Sequence, residues 1–174
     1  MKKGIIMFML LLSAAYFISC EKDDICAEGT PTTPSVVIEF YERDNRTQPK
    51  SVLNLRVIAE NMETPVLFSG SDVTSANTIR IPLRTDADTT TYRLIYNATA
   101  TNGTRNEDRI TFNYTRNEIY VSRACGYKTH FYLGPDPNND VLLQDTGDNF
   151  WISEVGVERT NIEDQNEAHI YIYF

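Results

Sequence analysis

Short runs of β-branched and aromatic residues, separated by turn residues, recur along this chain of 174 residues. Such runs typically form β-strands, because branched and aromatic side chains pack well on a pleated surface. No stretch carries an apolar stripe at helical spacing for even three turns. The pattern therefore predicts an all-β protein. The predicted strands are residues 35–41, 51–59, 77–83, 89–96, 108–114, 118–123, 126–133, 150–158 and 168–174.

Alternation within these runs indicates that each predicted strand has one buried face. Tyr92 and Leu94 share one side of their strand, and Ile170 and Ile172 share one side of theirs. Two antiparallel sheets packed face to face, a β-sandwich with an immunoglobulin-like number of strands, are expected. Turn-forming residues separate several of the predicted strands, at 102–103, 115–117, 134–137 and 145–148.

Two single residues refine this prediction. Pro82 cannot donate a hydrogen bond within a sheet, so its strand is predicted to lie at an edge or to end in a bulge. Trp151, the one tryptophan, is predicted to fill core space, with ligand stacking as the alternative.

The first residues, MKKGIIMFMLLLSAAYFISC, combine a basic start, an apolar run and a small residue before a cysteine. This order is typical of a secretory signal peptide. A transmembrane anchor is the alternative, but a bilayer-spanning helix needs about 20 apolar residues and this run is shorter. The expected organisation is a signal peptide at 1–19, a tether and linker at 20–34 and one β-sandwich domain at 35–174.

Net charge limits the partners. Loss of Lys2 and Lys3 with the signal peptide changes the formal charge from −8 to −10. Phosphate backbones repel such an acidic protein, so no nucleic-acid partner is expected. Flat docking onto anionic lipid is disfavoured for the same reason.

The segment Phe17-Ile18-Ser19-Cys20 resembles a bacterial lipobox, although Phe17 stands where leucine is usual. The resemblance implies that Cys20 becomes the first mature residue and carries three acyl chains, palmitate among them. More than one acyl chain gives stable membrane anchorage.

With Cys20 acylated, two cysteines remain, Cys26 and Cys125. In an exported protein such a pair predicts a disulfide; a reactive thiol or a metal ligand is the alternative.

Several segments together resemble one family. CEKDDIC, EGTPTTP, IPLRTDADTTTYRLIYN, ITFNYTRNEIYVSRACGYKT and AHIYIYF are similar to an uncharacterised group of Bacteroidetes lipoproteins, the domain-of-unknown-function family numbered 6452. The resemblance covers nearly all of the mature chain. It implies no activity, since the family has none assigned.

Two short motifs resemble signals of the same phylum. Lys22, Asp23 and Asp24 look like its lipoprotein export signal, a lysine and two acidic residues just behind the acylated cysteine, which implies display at the cell surface. Asp88-Thr89-Thr90 resembles its periplasmic O-glycosylation acceptor, which makes Thr89 a candidate site. A polar strand start is the alternative for Thr89.

Residues that bear catalytic or metal chemistry are sparse. The two histidines, His130 and His169, lie in predicted strands, and no nucleophile elbow or zinc spacing accompanies them. We expect no cofactor. Alternating oxygen ligands in one acidic loop make a weak calcium candidate, at Asp136, Asn138 and Asp140; a conformational turn is the alternative.

Three functions are compatible with these features. We expect a non-catalytic binding or accessory subunit of an envelope complex, anchored in the outer membrane through Cys20, with an envelope protein or glycan as partner. A polymer-degrading hydrolase would need two carboxylates across a cleft, and its candidates are Asp136, Asp140, Asp145 and Asp148. A passive structural protein is the third.

For glycan binding, an aromatic platform is a further hypothesis, and cross-strand packing is the simpler explanation of the same residues. The residues of this platform are Tyr120, Tyr127, Tyr132, Tyr171 and Tyr173.

Overall fold

A computed structural model describes residues 25–134 and 140–174. The signal peptide expected at 1–19, the lipidation site Cys20 and the export signal Lys22, Asp23 and Asp24 lie outside these residues. Within the described ranges the secondary structure is entirely β, and no helix there is long and apolar enough to cross a membrane.

Ten strands occur in the described residues. They are β1 Val36–Tyr41, β2 Arg56–Ala59, β3 Thr78–Ile81, β4 Thr89–Tyr96, β5 Asn106–Ser122, β6 Gly126–Leu133, β7 Val141–Asp145, β8 Glu154–Val157, β9 Asn161–Ile162 and β10 Ile170–Tyr173.

Four of these strands form one sheet, in the order β3-β1-β10-β8. β3 ends at Ile81, directly before Pro82, and lies at the edge of this sheet, as the proline predicts. β3 and β8 pair antiparallel with their neighbours, but β1 and β10 run parallel. The prediction of purely antiparallel sheets is therefore wrong at this one pair, which joins the two ends of the domain.

The second sheet has six strands. Five follow the order β2-β4-β5-β6-β9, and β7 also pairs with β5. β4 and β5 form a regular antiparallel pair from Thr89 opposite Asn113 to Tyr96 opposite Asn106. The same stretch of β5 pairs with β7 on its other side, so it is a central strand.

Both sheets contribute to one hydrophobic core, which confirms the predicted β-sandwich. Ile38 and Phe40 of β1 and Phe112 of β5 are fully buried in it. Each fully buried side chain of this size stabilises the fold by roughly 1.5–3 kcal/mol. Trp151 packs against the same core and donates its indole N–H to the carbonyl of Leu94 at 3.1 Å, as expected for a core tryptophan.

The largest difference from the predicted strands is in β5. Thr115, Arg116 and Asn117 were expected to form a turn, yet they continue one strand of 17 residues. β5 remains extended because β6 follows as its neighbour in the sheet and supplies backbone partners. β7 and β9 were not predicted, because β9 has only two residues and β7 lacks clear alternation.

The chain divides into two compact units. The large unit contains residues 31–119 and 128–174 and holds the core. The small unit contains residues 120–127 and, of the N-terminal segment, residues 25–30. Within the small unit Cys26 and Cys125 form a disulfide across 99 positions of sequence, and this is the pair that the cysteine count selects.

Candidate functional site

Tyrosines and a carboxylate lie side by side on the outer face of the four-stranded sheet. Because Ile38 and Phe40 point into the core, the alternate residues of β1 point outward. The parallel pairing places Glu39 opposite Tyr171 and Tyr41 opposite Tyr173. We call these four residues, Glu39, Tyr41, Tyr171 and Tyr173, the tyrosine–glutamate face.

The rings on this face contact one another. The Tyr41 ring centre lies 5.0 Å from that of Tyr171 and 6.1 Å from that of Tyr173. The Tyr41 hydroxyl donates to the Glu39 carboxylate at 2.7 Å, and this bond raises the pKa of Tyr41 to about 12. Burial raises the pKa of Tyr171 as well. Both phenols therefore remain protonated at neutral pH, so the face presents hydroxyls and ring surface.

Arg46 covers one end of the tyrosine–glutamate face. Its guanidinium carbon lies 4.7 Å from the centre of the Tyr173 ring, a cation–π contact. The same guanidinium forms an ion pair with Glu154, which is directly opposite Tyr173 in β8. The charge of Arg46 is thus neutralised within the protein by Glu154.

A groove of about 430 Å³ adjoins the other end of the face. Arg159 is the cation in its lining, and its guanidinium is 3.1 Å from Glu167 and 3.8 Å from Asp164. Since these carboxylates already neutralise Arg159, an anionic ligand is disfavoured and hydroxylated or cationic groups are favoured. The lining residues are Glu39, Glu158, Arg159, Asn166, Glu167, Ala168 and Tyr171.

A second groove, of about 570 Å³, lies where β4 begins. Its lining residues fall in the ranges 59–62, 82–84 and 89–92. The Tyr114 hydroxyl lies 2.6 Å from Oγ1 of Thr90 and donates to the carbonyl of Arg84 at 2.9 Å. Tyr92 donates to the carbonyl of Pro82. These bonds fix one wall of the groove against β4 and β5.

Thr89, the predicted O-glycosylation residue, lies in the lining of this second groove. It is the first residue of β4, and its side chain is exposed, whereas Thr90 is buried. The exposed hydroxyl is accessible to an enzyme. Modification of Thr89 stays a prediction.

The calcium candidate falls mostly outside the described residues. Asp136 and Asn138 belong to the undescribed segment 135–139, and only Asp140 is described. Asp140 is buried, with 3% of its surface exposed. In the described ranges 25–134 and 140–174, no three His, Cys, Asp or Glu residues are grouped so as to hold a metal ion.

The hydrolase candidates Asp145 and Asp148 have local hydrogen-bonding roles. Asp145 accepts from the backbone N–H of Gly147 at 2.9 Å, within a turn. Asp148 accepts from the backbone N–H of Glu107 at 3.1 Å. Neither residue, nor Asp140, lines either groove described above.

Sequence reasoning missed Asp108, which is fully buried in the large unit. One carboxylate oxygen accepts from the backbone N–H groups of Trp151, at 3.0 Å, and Ile152, at 2.8 Å. The pKa of Asp108 is raised to about 6, chiefly by burial; the two N–H groups oppose this rise, and the nearby Asp145 and Asp148 add to it. Asp108 therefore holds the segment before β8 against β5.

Both histidines are buried. Nδ1 of His169 accepts from the backbone N–H of Val37 at 3.0 Å, and Nδ1 of His130 lies 3.9 Å from Glu163. Burial lowers the pKa of His169 and of His130. The Nε2 atoms of the two rings are buried and form no hydrogen bond to the described part of the chain. The neutral imidazoles thus serve as packed side chains.

The five tyrosines of the hypothetical aromatic platform do not share one surface. Tyr132 lies in β6 of the six-stranded sheet and donates to Glu163 at 2.8 Å. Tyr171 and Tyr173 lie in the four-stranded sheet, so the hypothesis of a single platform, the less favoured alternative to cross-strand packing, is wrong. The sequence did not indicate that Tyr41 joins Tyr171 and Tyr173, because their proximity depends on the parallel pairing of distant strands. The remaining two, Tyr120 and Tyr127, belong to the small unit.

Comparison with known proteins finds a match to one protein family. A family described as of unknown function (DUF6452) matches residues 54–174, which is more than half of the chain. No curated protein and no solved structure matches. The match includes β2 to β10 and therefore most of the large unit and half of the tyrosine–glutamate face. The chain belongs to this family of unknown function.

Proposed function

We propose that this chain is a bacterial outer-membrane lipoprotein, displayed at the cell surface, which acts as a non-catalytic binding or accessory subunit of an envelope complex. The lipobox-like segment ending at Cys20 supports the anchor. Lys22, Asp23 and Asp24 behind it support surface display. The tyrosine–glutamate face supports a binding role.

The tyrosine–glutamate face is the observation that carries the binding role. On the outer face of a sheet in an ordinary monomer, polar side chains typically face water. Here Tyr41 contacts both Tyr171 and Tyr173, all three tyrosines are partly exposed, and the groove beside them is lined with carboxylates. Aromatic rings are enriched where proteins bind partners, because they provide large apolar surfaces that need little ordering.

The test is enrichment of a partner from a gentle detergent extract of native membranes. Full-length protein, a Tyr171→Ala variant and a Tyr132→Ala control are compared. Tyr132 is a suitable control because it is a tyrosine of the other sheet and also contacts a glutamate.

We expect one envelope protein or glycan to be enriched with the wild type and the control, and lost with Tyr171→Ala. Enrichment of no component by the wild type would contradict the proposal and leave the passive structural role. Equal enrichment by all three would show that the face is not the binding surface. A polymer-degrading hydrolase would instead cleave the glycan, which chromatography of the glycan after incubation detects.

A further inference from the structure

Exposed apolar side chains are concentrated in the small unit. Seven large hydrophobic residues are exposed in the described residues, and three of them are Ile25 at 82%, Tyr120 at 58% and Tyr127 at 67%. The small unit supplies only residues 25–30 and 120–127 of the described chain. The other four are distributed over the much longer remainder.

These three side chains are held at one place. The ring centres of Tyr120 and Tyr127 are 5.4 Å apart, in an edge-to-face arrangement. Tyr127 is two residues from Cys125, and Ile25 is next to Cys26. The disulfide brings the Cα atoms of these cysteines to 4.8 Å. We call Ile25, Tyr120 and Tyr127 the tip patch.

The length of chain before the tip patch determines what it can reach. Six residue steps separate Cys26 from Cys20, the proposed lipidation site. An extended chain spans at most about 3.3–3.6 Å per residue, so the disulfide stays within about 20 Å of the acylated residue. An anchor this short keeps the tip patch next to the bilayer at all times.

The chemistry of the tip patch suits that location. Tyrosine is enriched at membrane–water interfaces, because its ring enters the apolar boundary while its hydroxyl stays among the headgroups. Arg123, between the two tyrosines in sequence, is exposed and can donate to lipid phosphate. Glu28 is exposed in the same unit, so the contact depends on the aromatic rings more than on attraction to anionic lipid.

We propose that the tip patch rests on the surface of the bilayer that holds the lipid anchor. This inference depends on the proposed lipid anchor at Cys20. An untethered surface of this kind would bind a bilayer weakly. The anchor removes that limitation, because it converts the contact into an intramolecular one at high effective concentration.

The test uses the full-length gene product, isolated from expressing cells and mixed with vesicles of phosphatidylcholine whose brominated acyl chains quench tryptophan side chains that reach them. The variants are Tyr120→Trp and, as a control, Leu67→Trp. Leu67 is 61% exposed and lies in the large unit. Both variants retain Trp151, so the wild type supplies the baseline emission.

Flotation of the vesicles is measured first. If the chain fails to float with them, the anchor is absent, and the proposed lipoprotein and this inference are both overturned. For a chain that floats, we expect about a twofold or greater loss of the added emission in Tyr120→Trp, since an interfacial aromatic ring enters the apolar boundary next to the brominated acyl chains. We expect little loss in Leu67→Trp. A floating chain that is quenched at neither position, or equally at both, overturns the tip-patch inference alone.

Discussion

The buried carboxyl group of Asp108 makes the stability of this fold depend on pH in a defined direction. Burial raises its pKa from 3.8 to about 6 in the folded protein. The folded state therefore binds this proton more tightly than the unfolded state. Its contribution to stability is fully present below about pH 4 and is lost as pH rises to about 6.

The magnitude follows from the size of the shift. Each pKa unit corresponds to about 1.4 kcal/mol, so a shift of about two units gives an upper value of about 3 kcal/mol. The turn that carries Asp145 and Asp148 is exposed, and solvent screens their repulsion. We therefore expect ionised Asp108 to cost about 2 kcal/mol at pH 7 relative to pH 4.

Asp108→Asn removes the titration while keeping an oxygen that accepts from Trp151 and Ile152. The free energy of unfolding is measured by urea denaturation at pH 4, 5, 6 and 7 for the wild type and for Asp108→Asn. Relative to the wild type, the variant should gain about 2 kcal/mol between pH 4 and pH 7. Asp145→Asn, an exposed neighbour in the turn, is the matched control and should show a much smaller change. A difference between Asp108→Asn and wild type that stays constant from pH 4 to pH 7 would refute the reasoning.

Three further perturbations test other parts of the fold. His169 has a pKa below its ordinary value and accepts a hydrogen bond from Val37, so it should contribute stability above about pH 6.5 that is lost as pH falls. The thermal midpoint should therefore fall less between pH 7 and pH 5 in His169→Asn than in the wild type. Replacing Cys26 and Cys125 together by serine should lower the free energy of unfolding by about 4–5 kcal/mol in the chain-entropy treatment of a loop this long, and an unchanged urea midpoint would contradict it. Tyr114→Phe should cost about 1–2 kcal/mol, measured by urea denaturation, because one buried and one partly buried hydrogen bond are lost.

The strands that the sequence predicts best are compact runs of β-branched and aromatic residues with clear turn signals at both ends. The predicted bounds of β4 and β6 are the observed ones, because each is such a run of eight residues. The prediction of a turn at residues 115–117 was wrong because polar residues in an exposed strand have the composition of a turn. Their extended conformation depends on pairing with β6, which composition does not reveal.

The candidate site was only partly predictable for a similar reason. Tyr171 and Tyr173 stand out as outward residues of an alternating run. Their contact with Tyr41 requires the parallel pairing of β1 with β10, across more than 130 positions of sequence. Asp108 was missed because an aspartate at the start of a strand usually faces water, and only the packed segment around Trp151 buries it.

Surface display is the central claim, and protease accessibility on intact cells tests it most directly. The wild type is compared with a variant that combines Lys22→Ala, Asp23→Ala and Asp24→Ala, with a periplasmic protein as the control for cell integrity. The account predicts that external protease removes the wild-type protein and spares the variant. If both remain protected on intact cells and are degraded only after the outer membrane is opened, the protein faces the periplasm and the claim is wrong.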